Sequence, residues 1–115
     1  RYWDIDAPGK LADHTDPFGV GNILYGFQGY ERLDSMAVDA EGNVCVATLG
    51  TGCISAISSH GKLVAVVPVP EPDVMVTNIC FGGVDLKTAF ITSSGLGLLY
   101  RMQWHCAGLK LNFNG

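Results

Sequence analysis

Two stretches of this chain repeat each other, and the repeat constrains the fold more than any other feature. Met36 aligns on Ile79, Val38 on Phe81, Val46 on Phe90, Thr48 on Thr92, Gly52 on Gly97 and Ile57 on Met102, a period of about 43 to 45 residues. The opening residues fit the same frame, with Tyr2, Ile5 and Gly9-Lys10-Leu11 falling on Ile54, Ile57 and Gly61-Lys62-Leu63. Inside each copy the apolar positions alternate singly. Met36 and Val38 interleave with Ala37 and Asp39, then Val44, Val46 and Thr48 with Cys45 and Ala47, which is the period of half-buried strands rather than of a helix. Four short strands per unit at this spacing is the signature of a β-propeller blade. The expected fold is therefore all-β, with about two and a half blades: the end of one blade in residues 1–14 and full blades in residues 33–69 and 76–114.

Composition agrees. With 115 residues, 48% of them hydrophobic, 15 glycines and 5 prolines, the chain has the makeup of a turn-rich globular β domain. A net charge of −4 with only 7 scattered Lys and Arg lacks the footprint of a nucleic-acid binder. No apolar run approaches the roughly 18 residues of a membrane span, and no charged-then-apolar stretch resembles a signal peptide. Cys45, Cys53, Cys80 and Cys106 form no C-x-x-C pair, and three of them lie in apolar strand-like runs. That usage points to reduced thiols and a cytoplasmic setting. The first residue is Arg1, followed at once by a strand-like run, as if the chain begins in the middle of a unit.

Taken in order, a short alternating run from Arg1 to Asp6 turns at Ala7-Pro8-Gly9-Lys10 and returns from Leu11 to His14 as an outer strand. Asp16-Pro17-Phe18-Gly19 breaks it, and Gly19 to Tyr30, rich in glycine and aromatics, reads as a packed loop. Leu33 to Thr48 is a strand, the turn Asp39-Ala40-Glu41-Gly42-Asn43 and a second strand. Strands at Cys53–Ser58 and Leu63–Val69 complete that unit, and Pro70-Glu71-Pro72-Asp73 forms a stiff crossing. The second unit repeats the order, with strands at Val76–Phe81, Thr88–Thr92, Leu98–Trp104 and Leu109–Phe113.

In a propeller the innermost strand of each blade lines the central channel. Asp34 stands at the mouth of one such strand, Thr77 at the matching place in the next, and Asn78 falls on Ser35. Hard cations take oxygen ligands of these kinds from separate loops. On spacing alone Asp34 is a ligand, an acid or base, or a turn residue bonding local backbone, and Asn78 is equally readable as a satisfied strand-end amide. The Asp39–Asn43 turn lacks the length and terminal Glu of an EF-hand. His14, His60 and His105 fall near turns without ligand spacing and read as surface residues. Ser58-Ser59 and Ser93-Ser94 lack a nucleophile-elbow context. Gly95-Leu96-Gly97 is not followed by a helix, so it is no phosphate loop.

Leu33-Asp34-Ser35-Met36-Ala37-Val38-Asp39-Ala40-Glu41-Gly42-Asn43-Val44-Cys45-Val46-Ala47 resembles the PDGMxxDxxGxxWVA stretch of the SMP-30/gluconolactonase/luciferin-regenerating enzyme-like family. Thr77-Asn78-Ile79-Cys80-Phe81-Gly82-Gly83, with Asp85-Leu86-Lys87-Thr88-Ala89-Phe90-Ile91-Thr92, is similar to that family's next-blade signature, TxxCFGGxDLxTxYxT. The resemblance runs from about Arg1 to Phe113 and implies the C-terminal portion of a six-bladed propeller. Such propellers bind one divalent cation in the channel and hydrolyse lactones, typically sugar lactones. It also implies that Asp34 is a metal ligand that takes part in catalysis, with Thr77 and Asn78 lining the substrate channel. The family's other protein ligands, a glutamate and an asparagine, come from regions outside these residues. Ser35 replaces the usual Gly, Leu33 the usual Pro, Cys45 the common Trp, and Leu98 a frequent Arg.

The implied cofactor is a divalent ion, Ca²⁺ first, with Zn²⁺, Mn²⁺ or Mg²⁺ as alternatives. The implied partners are a small lactone and whatever closes the ring, either the rest of the propeller or another chain, with no nucleic acid and no membrane. A non-catalytic propeller module for binding or scaffolding, and an inactive fragment lacking the remaining ligands, are the other functional readings.

Overall fold

The computed structural model describes residues 1–12 and 18–113. Every regular element among them is a strand. These are β1 (Ile5–Ala7), β2 (Lys10–Leu11), β3 (Arg32–Val38), β4 (Val44–Leu49), β5 (Cys53–Ile57), β6 (Leu63–Pro68), β7 (Val76–Gly82), β8 (Thr88–Ser93) and β9 (Leu98–Gln103). They form three antiparallel meanders in chain order, β1-β2, β3-β4-β5-β6 and β7-β8-β9. All-β propeller blades are thus what the repeat encodes. His14 and Asp16-Pro17, expected at the end of an outer strand and in the break after it, lie outside the described residues.

The second sheet is the reference unit. Its central strands β4 and β5 are buried on both faces, while β3 and β6 at its edges are largely exposed. Pro68 ends β6 without loss to the ladder because β6 is the edge, where a missing N–H faces away from any partner strand. One face of this sheet carries Cys45, Ala47, Ile54 and Ala56, all fully buried, and against it packs the third sheet through Val76, Ile79, Ala89, Ile91 and Trp104. Alanine and cysteine at the contact let β7 lie across β3, β4 and β5. On the other face Thr48 and Ser55 share a 2.8 Å hydroxyl bond. The loop carrying Tyr25 and Phe27, stacked edge to face at 4.9 Å, covers that side.

Both inner strands are bulged at the same place. In β3, Leu33 pairs with Thr48 and Met36 with Val46, so Asp34 and Ser35 together oppose one residue of β4. In β7, Val76 pairs with Ser93 and Asn78 with Thr92, which leaves Thr77 as the extra residue. A bulge bends its strand and re-aims a side chain.

The structure departs from the sequence reading at the C-terminus. Leu109–Phe113 is not a fourth strand beside β9. After Trp104 the chain crosses to the preceding sheet, where Gly108 bridges Asp39. Along this crossing Trp104 N–H donates to the Lys87 carbonyl, Ala40 N–H to Ala107, Gly108 N–H to Leu86 and Leu109 N–H to Val38, all between 2.8 and 2.9 Å. The crossing needs a glycine at position 108, where a Cβ would lie 2.3 Å from the Cβ of Phe81. A fourth strand would have forgone these bonds and left the β3–β4 turn unpinned.

Candidate functional site

Asp34, expected at the mouth of an inner strand, lies two residues inside β3, in its bulge. Its side chain is exposed, and the Ser35 hydroxyl donates to its Oδ1 at 3.4 Å. Thr77 holds the matching bulge in β7, half-buried, with its hydroxyl bonded to Thr92 Oγ1 at 2.9 Å and to Ser94 Oγ at 2.6 Å. Asn78 is exposed and lines a crevice of about 450 Å³ between the inner strands, with Met36, Ala37, Ile79, Phe81 and Leu109 among its other walls. These residues offer a carboxylate, a hydroxyl and an amide from two neighbouring inner strands. No second carboxylate, histidine or thiol pair gathers with Asp34 into a three-ligand group among the described residues.

Two other aspartates are tied into the backbone. Asp73 Oδ1 accepts from Met75 N–H at 2.8 Å, and its Oδ2 accepts from the Ser93 hydroxyl and from Leu96 N–H. The Ser93 bond, with those from Met75 and Leu96, keeps this carboxyl below its ordinary range in spite of burial. Asp73 therefore locks the inter-sheet crossing to the β8–β9 turn and is structural.

Asp39 directly follows β3 and is completely buried. Its Oδ1 accepts the backbone N–H groups of Glu41 at 3.0 Å and Asn43 at 2.9 Å, the side-chain-to-backbone pattern that makes Asp a turn former. The turn reading of Asp39–Asn43 is thereby realised. Its Oδ2 accepts from Asn43 Nδ2 at 2.9 Å and from the Cys45 thiol at 3.9 Å. Burial by itself would raise the Asp39 carboxyl. The bonds from Asn43, Cys106 and Glu41 outweigh it and hold the group ionised below the usual carboxylate range.

His105 and Cys106 join Asp39 from the C-terminal crossing. A ligand atom from each of the three lies within 4.8 Å of the other two, the arrangement in which such groups can hold a metal ion. The sequence reading placed His105 on the surface, and it is 48% exposed, yet its Nε2 is 3.6 Å from Asp39 Oδ2. Its ring packs on Trp104, which in turn packs on Phe81. The adjacency of His and Cys was the one signal available in the sequence. Their partner lies far earlier in the chain, in the preceding unit.

The geometry so far describes blade-type sheets with a lone exposed carboxylate on an inner strand. The profile of the SMP-30/Gluconolactonase/LRE-like region matches residues 5–95. The chain belongs to that family. It is 35% identical over 74 residues to an uncharacterized protein of Sulfolobus acidocaldarius, a match that covers 63% of this chain and 26% of that protein. It is also 35% identical over 66 residues to regucalcin of Danio rerio, covering 56% of this chain and 22% of regucalcin. The matches thus span about a quarter of each relative's own length. Residues 96–115, including His105 and Cys106, lie beyond the family match.

Proposed function

We propose that this chain forms part of a divalent-metal-dependent lactone hydrolase of the gluconolactonase type, with Asp34 as one ligand of the channel metal. Family membership supports the class, and the bulge carries the assignment. Asp34 is an exposed carboxylate at the irregularity of an inner strand, while Asp39 and Asp73 are buried and direct most of their acceptor positions to turn groups. Its hard oxygen, with the Thr77 hydroxyl and the Asn78 amide on the neighbouring strand, fits one arm of an oxygen-rich site for Ca²⁺, Mg²⁺, Mn²⁺ or Zn²⁺. One arm does not hold a cation tightly, since calcium takes about six to eight oxygens, so the remaining ligands belong to other blades of the ring.

A divalent cation bound there supplies polarisation of a lactone carbonyl and a water acidified by coordination. Asp34 anchors one side of that site and accepts a proton from the attacking water. Thr77, fixed by Thr92 and Ser94, and Asn78 in the crevice between the strands orient the sugar-like hydroxyls of the substrate. The unpaired thiols Cys45, Cys53, Cys80 and Cys106 suit a reducing, cytoplasmic setting.

The test is lactone hydrolysis by the full-length protein with and without a chelator, set beside Asp34→Ala. Loss of the metal-dependent rate by two orders of magnitude or so is expected in the variant. Metal-dependent hydrolysis that survives Asp34→Ala would overturn the assignment. A second reading, a non-catalytic propeller module, is favoured because no group of three or more His, Cys, Asp or Glu side chains among the described residues includes Asp34. A glutamate and an asparagine at the matching inner-strand positions of the complete reading frame would count for the enzyme, and their absence for the module.

A further inference from the structure

We propose that Asp39, His105 and Cys106 form a zinc site, separate from the Asp34 channel position, that staples the C-terminal crossing to the β3–β4 turn. The inference is independent of the lactonase reading and uses two residues outside the family match.

The carboxylate of Asp39 has four lone-pair positions. Two on Oδ1 are taken by the N–H groups of Glu41 and Asn43, and one on Oδ2 by Asn43 Nδ2. The remaining acceptor capacity meets only thiols: Cys106 bonds the carboxylate through the proton that metal uptake replaces, and Cys45 makes a weak contact with Oδ2 at 3.9 Å. His105 Nε2 stands 3.6 Å from this oxygen, too far for a hydrogen bond. It is close to the separation of about 3.4 Å between two ligands on one tetrahedral zinc with bonds near 2.1 Å. The Cys106 sulfur completes a cluster in which every pair of ligand atoms lies within 4.8 Å. Glu41 Oε2, on an exposed side chain 4.0 Å from His105 Nε2, is placed to supply the fourth ligand, and water serves where it does not.

The donor set is one thiolate, one imidazole and carboxylate oxygen, which suits zinc and is too soft for calcium or magnesium. Asn43 orients the Asp39 carboxylate and Trp104 the His105 ring, which is the supporting shell such sites need. Binding exchanges the Cys106 proton for the metal, so uptake releases a proton and strengthens as pH rises.

The probe is Co²⁺, added to the reduced, metal-free chain, because a thiolate ligand gives a charge-transfer band in the near ultraviolet and tetrahedral geometry gives intense visible bands. Both sets of bands are expected to saturate at one equivalent and to be displaced by Zn²⁺. Cys106→Ser should abolish the charge-transfer band. His105→Ala, a change at a half-exposed position, should weaken cobalt binding by about tenfold or more. Asp34→Ala should leave the bands unchanged. Absence of a thiolate band, or a band that persists in Cys106→Ser and His105→Ala, would overturn the proposal and leave the cluster a hydrogen-bonding hub for Asp39.

Discussion

At Asp39 a single buried carboxylate closes a turn and gathers groups from a distant segment. Because its folded pKa lies below the ordinary value of 3.8, its stabilising contribution is complete above that value and is lost as pH falls through the lower folded one. Asp73 has the same sign. Asp39→Asn keeps one acceptor oxygen and turns the other into a donor facing N–H groups, so it should cost about 1–3 kcal/mol in urea denaturation at neutral pH. The gap from the wild type should narrow below pH 3.8, since the wild type alone loses the Asp39 contribution there. An unchanged gap across that window would show that Asp39 acts by shape alone. Thiol reactivity gives a second check. Burial first, then the charge of Asp39, pushes the Cys45 thiol up to about 12, whereas Cys80 is exposed. Maleimide labelling read by peptide mapping should mark Cys80 rapidly and spare Cys45 in the native chain. The turn role of Asp39 was legible because D-A-E-G-N is local chemistry. Its contact with His105 was not, because nothing local to either residue encodes it.

The strands were legible from alternation and the repeat. The inner-strand bulges were not, because an extra residue shows in a ladder and not in one strand's pattern. Aligning Asp34-Ser35 with Thr77-Asn78 nonetheless put the two bulged positions in correspondence before either bulge was visible. The misread element is the last one. Leu109 and Leu111 look like strand residues, yet backbone bonds from residues 107–109 to the β3–β4 and β7–β8 turns direct the chain elsewhere. Gly108→Val tests this, because its Cβ would collide with Phe81, at an expected cost of about 1–3 kcal/mol or more in chemical denaturation. Gly26→Ala, where an added methyl meets open space, should stay within about 0.5 kcal/mol. Equal effects would remove the tight approach at Gly108 as the reason for the crossing.

Across the whole molecule, the sheets leave apolar side chains uncovered: Val64 and Val66 on β6, Leu98 and Leu99 on β9, and Met36 on β3. Propellers protect such faces and edges by closing the ring, and these sheets do not close one. We propose that the remainder of a propeller, or another chain, covers them. Expressed alone, the 115-residue chain should self-associate in a concentration-dependent way by light scattering and bind a hydrophobic dye. The same residues within the complete protein should do neither. A dye-silent monomer with a sharp cooperative melt would show that the exposed faces need no cover.

The crossing after β9 also sets an order of events during synthesis. The strands of the second sheet are complete once Pro68 has left the ribosome, but the bond from Ala40 to Ala107 and the bridge from Asp39 to Gly108 wait for residues 107 and 108. Until then the β3–β4 turn is held by Asp39 and Asn43 alone, and a truncation at residue 95 would make that provisional state permanent.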